Sequence, residues 1–263
     1  MVSMRDISRP PAETTAIARR RPTPADGRPL LLGHGGELTV EWLGRVAYRP
    51  TWDLQNELAD RRRRREIGDR VLLLEHDPVY TIGRGGNEGN LLATPERLAA
   101  LGAELVRIDR GGDITFHGPG QLVAYPIVEL RDPLDLRRYV RSLEAAIIET
   151  AAAFGVEAHR EEGLIGIWVE GRRKLAAIGV RVKRGVTTHG LALNVNTELR
   201  WFAEMIPCGI ADKEVTSLAA ELGHPVDMAA VEDALVSALA TGFGLKLAPR
   251  APAIVGPAGS GEQ

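Results

Sequence analysis

The chain has 263 residues, of which 44% are hydrophobic and 26% are charged, and its formal net charge is −2. This composition is ordinary for a soluble globular protein with one large domain or two modest ones, and the near-neutral charge argues against a general nucleic-acid binder. No apolar run approaches the roughly 20 residues that span a bilayer, and the N-terminus lacks the apolar core of a secretory signal. We therefore expect a cytoplasmic protein without nucleic-acid or membrane partners.

The two ends of the chain differ in composition from its middle. Residues 1–28 are rich in proline and arginine and show no apolar periodicity, and residues 248–263 have a similar character. Such segments bury too little apolar surface to fold. We expect a disordered N-terminal extension over residues 1–28, a single catalytic domain over residues 29–247 and a flexible tail over residues 248–263.

The first half of the domain alternates between strand and helix patterns. Short apolar runs predict strands at 37–43, 70–75, 103–109 and 121–129. Helices are predicted at 48–66 and, between an N-cap at Thr94 and a closing glycine at Gly102, after Pro95. Pro126 favours an edge strand or a bulge for the last of these strands, because proline cannot donate to a ladder.

Five consecutive arginines, residues 61–65, end the first long helix. Five successive positions circle a helix, so most of these side chains must face water. One interpretation is a solvated helix end, which cations favour because of the helix dipole. The alternative is a docking patch for an acidic partner protein.

The second half begins with the longest helix, predicted at 133–155 from apolar residues at steps of three and four and from Gly155 at its end. Residues 164–196 read as three consecutive antiparallel strands, with turns at Glu170-Gly171 and Arg184-Gly185. Helices follow at 216–222 and 227–241. Hairpins mixed with helices indicate an α+β or mixed α/β fold.

Cys208 is the only cysteine, which excludes an internal disulfide and a multi-cysteine metal site. It lies between Pro207 and Gly209, where the glycine leaves room for a substrate carbonyl. A lone cysteine is usually a small buried hydrophobe, whereas a catalytic thiolate needs a nearby cation or base. Lys174 is a candidate for that cation, since it shares the register of the more apolar face of its strand, unless the strand end lifts it into solvent.

The hairpin around Arg184-Gly185 brings small residues together. A two-residue loop pairs Gly179 with Gly190 and Ala177 with Ala192, which forms a shallow trough for a backbone or an acyl chain. Lys174 is out of phase with this trough unless a bulge lies between them. His189 on the returning strand fits a core histidine better than a base.

A glycine-rich stretch over residues 110–121 follows a predicted strand and is expected to serve the same site. It lacks the dinucleotide and P-loop glycine patterns, and glycines also permit close approach of acyl chains and amides. His117 either donates and accepts protons in the reaction or holds the loop in place through hydrogen bonds. Asp113 fits the second of these roles, as a fastener of the loop, better than the first.

Three segments in this order (110–130, 172–199, and the Pro-Cys-Gly-Ile segment with Val-Thr-Ser-Leu after it) resemble the LipB-type octanoyltransferases of lipoate biosynthesis, as does the segment 74–84. The resemblance covers residues 42–245. It implies a single-domain mixed sheet flanked by helices, the fold of biotin and lipoate protein ligases. It also implies transfer of an octanoyl group from octanoyl-acyl carrier protein to a lysine of a lipoyl domain.

By the same resemblance, Cys208 is the nucleophile that forms an acyl-thioester intermediate, and Lys174 lowers the pKa of its thiol. The implied substrate-binding residues form three groups: Arg110, Gly111, Gly112, Asp113, Ile114, Thr115, Phe116 and His117; Ala177, Ile178 and Gly179; and Gly190, Leu191 and Ala192. The implied acceptors are the lipoyl domains of 2-oxoacid dehydrogenases and of glycine-cleavage H-type proteins.

Two half-reactions on one cysteine require no ATP, because thioester exchange is nearly isoenergetic and amide formation is downhill. No cofactor and no metal are therefore expected. Basic residues near the motifs are candidates for meeting acidic partner domains: Arg110, Arg172, Arg173, Lys183 and Arg184. The main alternative is an ATP-dependent lipoate or biotin protein ligase on the same scaffold, in which the cysteine is incidental; a non-catalytic carrier-docking module and a thioesterase are further alternatives.

Overall fold

The structure is a computed structural model that describes residues 36–132, 136–206 and 213–249. Cys208, the predicted N-terminal extension and all but the first two residues of the predicted C-terminal tail lie outside the described residues. Among the described helices, none combines the length and the apolar character needed to cross a bilayer.

An eight-stranded mixed sheet forms the centre of the molecule, as predicted. Its strands run in the order β10-β8-β9-β6-β2-β1-β11, and β7 pairs with β8. Their bounds are β1 Glu37–Val46, β2 Arg70–His76, β6 Gln121–Ile127, β7 Ile167–Val169, β8 Arg173–Lys183, β9 Val186–Asn194, β10 Glu214–Val215 and β11 Lys246–Leu247. The predicted run of three antiparallel strands is confirmed as β7, β8 and β9.

Helices cover both faces of this sheet. They are α1 Tyr48–Arg63, α3 Leu136–Ala153, α4 Leu218–Leu222 and α5 Met228–Phe243, whereas α2 Pro95–Leu101 places Leu98 in a separate apolar cluster. The apolar sides of α3 and α5 pack on one face through Leu143, Ile147 and Leu239, and α1 packs on the other through Leu58 and Ala59. The expected single catalytic domain of mixed sheet and flanking helices is confirmed.

A second, three-stranded sheet was not predicted. It has the order β4-β3-β5, with β3 Val79–Ile82, β4 Glu104–Arg107 and β5 Ile114–His117. Strands β3 and β5 lie inside segments that the sequence marks as loops, because each has only four residues and glycines follow or precede it closely. The two segments become strands because they form hydrogen bonds with each other, and composition alone does not predict such pairing.

The predicted caps of α2 and the predicted turn between β8 and β9 are confirmed. The Thr94 hydroxyl accepts from the Arg97 N–H at the start of α2, and Gly102 ends the helix in the left-handed region. The β8–β9 hairpin turns at Arg184 and Gly185, both with positive φ.

Of the two expectations for Pro126, the edge strand is wrong, and the pairing with β2 shows no register shift of the kind that a bulge gives. Strand β6 is interior, between β2 and β9, and Pro126 pairs in register with Val71 of β2. The ladder from β6 to β9 is interrupted after Ala124 and resumes where the Thr187 N–H bonds the Val128 carbonyl, and β9 takes a left-handed residue at His189 between these points. The proline is tolerated because the neighbouring ladder is already interrupted at its position.

The arginine run at the end of α1 does not face water throughout. Arg62 is buried, and its guanidinium bonds Asp69 at 2.7 Å and lies 2.8 Å from Glu129. Asp69 is fully buried and also accepts from the Glu129 N–H. Arg62 therefore ties α1 to the start of β2 and the end of β6, while its neighbours Arg61 and Arg64 pair with surface carboxylates.

Candidate active site

A cavity of about 620 Å³ lies between the two sheets and extends around the free edge of β8. Strand β5 of the small sheet forms one wall, strands β8 and β9 of the large sheet form another, and the first residue of α1 closes a third side. Apolar residues from α3 and from the segment before β7 complete the lining: Leu136, Val140, Leu164 and Ile165. This volume is typical of a site for a small organic ligand.

The cavity brings together the three groups of residues that the sequence proposes for substrate binding. Thirteen of the fourteen proposed substrate-binding residues line it. The exception is Phe116, which packs against Tyr80, Trp201 and Phe202 in a separate apolar cluster behind β5. The alternation of β5 explains this, because Phe116 points away from the face that carries Thr115 and His117.

The register of the β8–β9 hairpin is the predicted one. Gly179 pairs with Gly190, and Ala177 pairs with Ala192. A Cβ on Gly179 would lie 2.7 Å from the Arg110 side chain and 3.1 Å from the Gly111 carbonyl. The Gly111 N–H bonds the Val180 carbonyl, so the missing side chain lets the 110–112 segment close over the edge of β8.

Gly190 has a packing role of a different kind. A Cβ there would overlap the Ala124 carbonyl oxygen of β6 and approach Pro126 Cδ at 2.8 Å. Because the obstacle is backbone in the centre of the sheet, the strands would have to separate to admit it. Gly190 thus sets the spacing between β6 and β9 behind the cavity.

We expect Gly190→Ala to lower the free energy of unfolding by about 2 kcal/mol or more, as over-packing of a filled site does. Chemical denaturation of the purified variant measures the loss. Gly68→Ala is the matched control, since its Cβ would meet no atom within 4 Å. A Gly190→Ala variant as stable as Gly68→Ala would contradict the role given to Gly190.

The bulge required to bring Lys174 into phase with the trough is present. Ile167 of β7 pairs with Ala176 and the next residue, Trp168, pairs with Lys174, so Leu175 is an extra residue in β8. Lys174 lines the cavity together with Ala177 and is only 7% exposed. The alternative in which the strand end lifts it into solvent is therefore wrong.

Residues at and just before the start of β7 hold the Lys174 side chain in the cavity. Its Nζ lies 5.2 Å from the centroid of the Trp168 ring. A Cβ on Gly166 would lie 2.8 Å from Lys174 Cε, and Gly166 has a φ of +121° that side chains rarely adopt. The lysine stem therefore occupies space that only glycine leaves open.

Next to Tyr48, the cavity has a polar lining, of which the sequence analysis named His117 but missed Tyr48 and Tyr125. Tyr48 stacks near His117 and tilts against His76, with centroids 6.1 and 4.9 Å apart. His76 Nδ1 donates to the Val46 carbonyl at 2.9 Å, so its Nε2 accepts from the Tyr125 hydroxyl at 2.8 Å. The sequence signal was weak, because these residues come from four separate segments.

Burial keeps these groups uncharged. It lowers the pKa of His76 to about 4 and, with His76 nearby, lowers the pKa of His117 well below its ordinary value. Burial also raises the pKa of Tyr48 and that of Tyr125. This part of the lining therefore offers neutral hydrogen-bonding groups near pH 7.

His189 is held in a strained backbone conformation within β9, with a φ of +57°. Its N–H bonds the Gln55 side chain at 2.7 Å, and its Nε2 lies 2.9 Å from Asp109. Burial lowers the pKa of His189, while the hydrogen bond from His189 lowers that of Asp109. The bond from the backbone N–H anchors the main chain of His189 to α1, and the bond from Nε2 anchors its imidazole to the segment after β4.

Arg110 and Asp113 hold the glycine-rich segment in place. Arg110 is buried and donates to the Thr81 carbonyl and hydroxyl, each at 2.9 Å. Asp113 accepts from the Asn87 N–H and the Asn90 amide, which agrees with its interpretation as a fastener. Because Arg110 lies inside the cavity, the prediction that it meets a partner's surface is wrong.

Cys208 lies outside the described residues, but the chain on either side of residues 207–212 has defined contacts. Met205 packs in the apolar cluster of the small sheet, and the Ile206 N–H bonds the Asn90 carbonyl. On the other side, β10 runs parallel to the start of β8, and the Thr216 N–H bonds the Lys174 carbonyl. Met205 and Val215 both contact the small cavity that Lys174 also lines.

The chain matches known proteins over most of its length. Residues 47–240 match the family of lipoyl protein ligase A/B catalytic domains. An octanoyltransferase of Chloroflexus aurantiacus is 48% identical over 220 residues, which cover 82% of this chain and 98% of that one. An octanoyltransferase of Bacteroides fragilis is 48% identical over 208 residues, 75% of this chain and 94% of that one.

Among solved structures, a putative lipoate protein ligase from T. acidophilum with bound lipoic acid superposes with a TM-score of 0.64 at 16% identity, covering 81% of this chain and 88% of that chain. This likeness shows a shared fold. The family match and the near-complete coverage of the curated relatives show that the chain belongs to the octanoyltransferase family of acyltransferases, within the lipoyl protein ligase A/B catalytic domains.

Proposed function

We propose that the chain transfers an octanoyl group from octanoyl-acyl carrier protein to a lysine of a lipoyl domain, through a thioester on Cys208. The observation that carries this proposal is a buried lysine, Lys174, in an acyl-sized cavity beside the described ends of the segment that contains the only cysteine. The sequence matches to named octanoyltransferases support the choice of acyl group.

The lining of the cavity suits a saturated acyl chain. Ile178, Leu191, Val140 and Leu164 supply apolar surface, and each methylene buried contributes about 0.8 kcal/mol. Loss of one methylene therefore changes affinity only a few-fold. We propose that the carbonyl end of the chain lies towards Lys174.

Lys174 supports the role of the nucleophile electrostatically. A cation close to a thiol stabilises the thiolate, which is the attacking form. Burial strengthens this effect, because little water screens the two charges. Since β10 follows residues 207–212 and lies directly beside Lys174, the chain returns to this lysine after the cysteine.

The two half-reactions balance without another reactant. In the first, the Cys208 sulfur forms a bond to the acyl carbon, the donor's C–S bond breaks and the carrier's thiolate leaves. In the second, the acceptor amine attacks the same carbon, the Cys208 C–S bond breaks, and the amine loses one proton to solvent as the amide forms, which balances the proton that the carrier's thiolate takes up from solvent. Cys208 returns to the thiolate that Lys174 stabilises.

The donor and acceptor are macromolecules, so the surface around the cavity must receive them. We propose octanoyl-acyl carrier protein as the donor and lipoyl domains of 2-oxoacid dehydrogenases and of glycine-cleavage H-type proteins as acceptors. Arg172 is highly exposed, and Lys183 and Arg184 are exposed at the tip of the β8–β9 hairpin. Arg173 is less available, because it is held by Glu221 and Glu170.

Incubation with octanoyl-acyl carrier protein is expected to add the mass of one octanoyl group to the intact chain, on the peptide that contains Cys208. Mass spectrometry before and after adding a lipoyl domain measures both half-reactions, and the acceptor should remove the group. Cys208→Ser, which keeps the size of the side chain, should not turn over. An unmodified chain with a donor of confirmed activity would contradict the thioester route.

The alternative of an ATP-dependent ligase predicts a different result for the same two proteins, the native chain and Cys208→Ser. An ATP-dependent ligase exchanges labelled pyrophosphate into ATP when the free acid is present, and an octanoyl relay does not. Exchange that survives Cys208→Ser would favour the ligase over the transferase.

A further inference from the structure

Trp168 lies directly under the proposed catalytic lysine and was not among the residues that the sequence singled out. It is the cross-strand partner of Lys174, it is 2% exposed, and its ring centroid is 5.2 Å from Lys174 Nζ. An ammonium over an indole is attracted by the ring quadrupole, and the attraction is stronger where water is excluded.

A second ammonium approaches the same indole. Lys213 Nζ lies 5.8 Å from the ring centroid and donates to the Gly171 carbonyl at 2.7 Å. Lys213 is the first described residue after 207–212. Beside it, the Glu214 N–H bonds the Arg172 carbonyl, so the start of β10 is tied to the β7–β8 turn at this tryptophan.

These contacts place one aromatic ring between two elements of the proposed site. We propose that Trp168 is a positioning residue for the acyl transfer: its indole fixes the Lys174 ammonium in the cavity and, through Lys213, fixes the chain that follows the nucleophile. The inference rests on the proposed function. A lysine has a long, flexible stem, so without the ring its ammonium would sample positions away from the thiolate.

The contrasting role for Trp168 is to fill space in the core, because it is one of the largest fully buried side chains. The two roles differ in what they do to Cys208. A space-filling tryptophan affects the stability of the fold, whereas a positioning tryptophan also sets the pH at which the thiol ionises. Since Cys208 is the only cysteine, alkylation of the full chain reports on this thiol alone.

The test is the rate of iodoacetamide alkylation across pH for native protein, Trp168→Phe and Trp168→Met. The midpoint of the curve of rate against pH reports the pKa of the Cys208 thiol. We expect this midpoint to rise by about one pH unit in Trp168→Met, which slows alkylation about tenfold at pH 7. Trp168→Phe keeps a smaller ring face and should fall between the two. Trp52→Met, which changes a partly buried tryptophan on α1, should keep the native midpoint.

Each outcome separates the inference from the proposed function. If Trp168→Phe and Trp168→Met have a lower melting temperature but keep the midpoint of the native protein, the positioning role is overturned. If Lys174→Ala also leaves the midpoint unchanged, the role of the lysine itself fails. Should Trp168→Met not fold, Trp168→Phe still decides, because its midpoint is expected between those of native protein and Lys174→Ala.

Discussion

Replacing Lys174 with alanine is expected to lower kcat/KM for octanoyl transfer by about 100-fold at pH 7, the effect of removing a close opposite charge that shifts a pKa by about two units. The residue is buried in the cavity, so solvent does not replace its charge. The thiol pKa should rise, and the fraction present as thiolate at pH 7 should fall in proportion. The measurement is steady-state transfer with saturating lipoyl domain.

The sign of the pH dependence provides a second check. Raising the pH above the elevated thiol pKa restores the thiolate, so the deficit of Lys174→Ala should shrink towards pH 9 to 10. Lys246→Ala is the matched control, because Lys246 is exposed on the edge strand β11, at the far side of the large sheet from β8. A deficit that stays constant with pH would mean that Lys174 acts on the transfer in some other way than through thiolate formation.

Arg62→Met is expected to cost about 3–5 kcal/mol of the free energy of unfolding, the usual result of leaving a buried charge without its partner. Asp69 is fully buried and would lose its 2.7 Å bond to the guanidinium. Glu129 would lose its cation as well. The loss is measured by denaturant unfolding at neutral pH, where both carboxylates are ionised in the unfolded chain.

Arg61→Met is the control, since Arg61 is 41% exposed and makes only long surface pairs. It should change stability by less than about 0.5 kcal/mol, as surface substitutions usually do. Equal losses in the two variants would mean that the internal ion pair adds no more than a surface arginine does.

The features that local chemistry determines could be predicted from the sequence. The two-residue turn at Arg184-Gly185 fixes the register of β8 and β9, and this register follows from the turn alone. The end of α2 at Gly102 follows in the same way from its glycine. The cavity wall formed by β8 and β9 could be predicted because this one hairpin builds it.

Features that depend on contacts between distant segments could not be predicted. Nothing in the arginine run distinguishes Arg62 from its neighbours, since its partner Asp69 lies beyond the helix. Trp168 meets Lys174 only because a bulge at Leu175 shifts the pairing by one residue. The small sheet likewise depends on pairing between short strands whose own composition indicates loops.

The two ends of residues 207–212 are attached to different sheets. Met205 and Ile206 belong with the small sheet and its associated loop, whereas β10 is hydrogen-bonded to the large sheet at Lys174. The cavity lies between those same sheets. Any motion that separates these walls therefore also moves the two attachment points apart, so the width of the cavity and the distance that residues 207–212 must bridge change together.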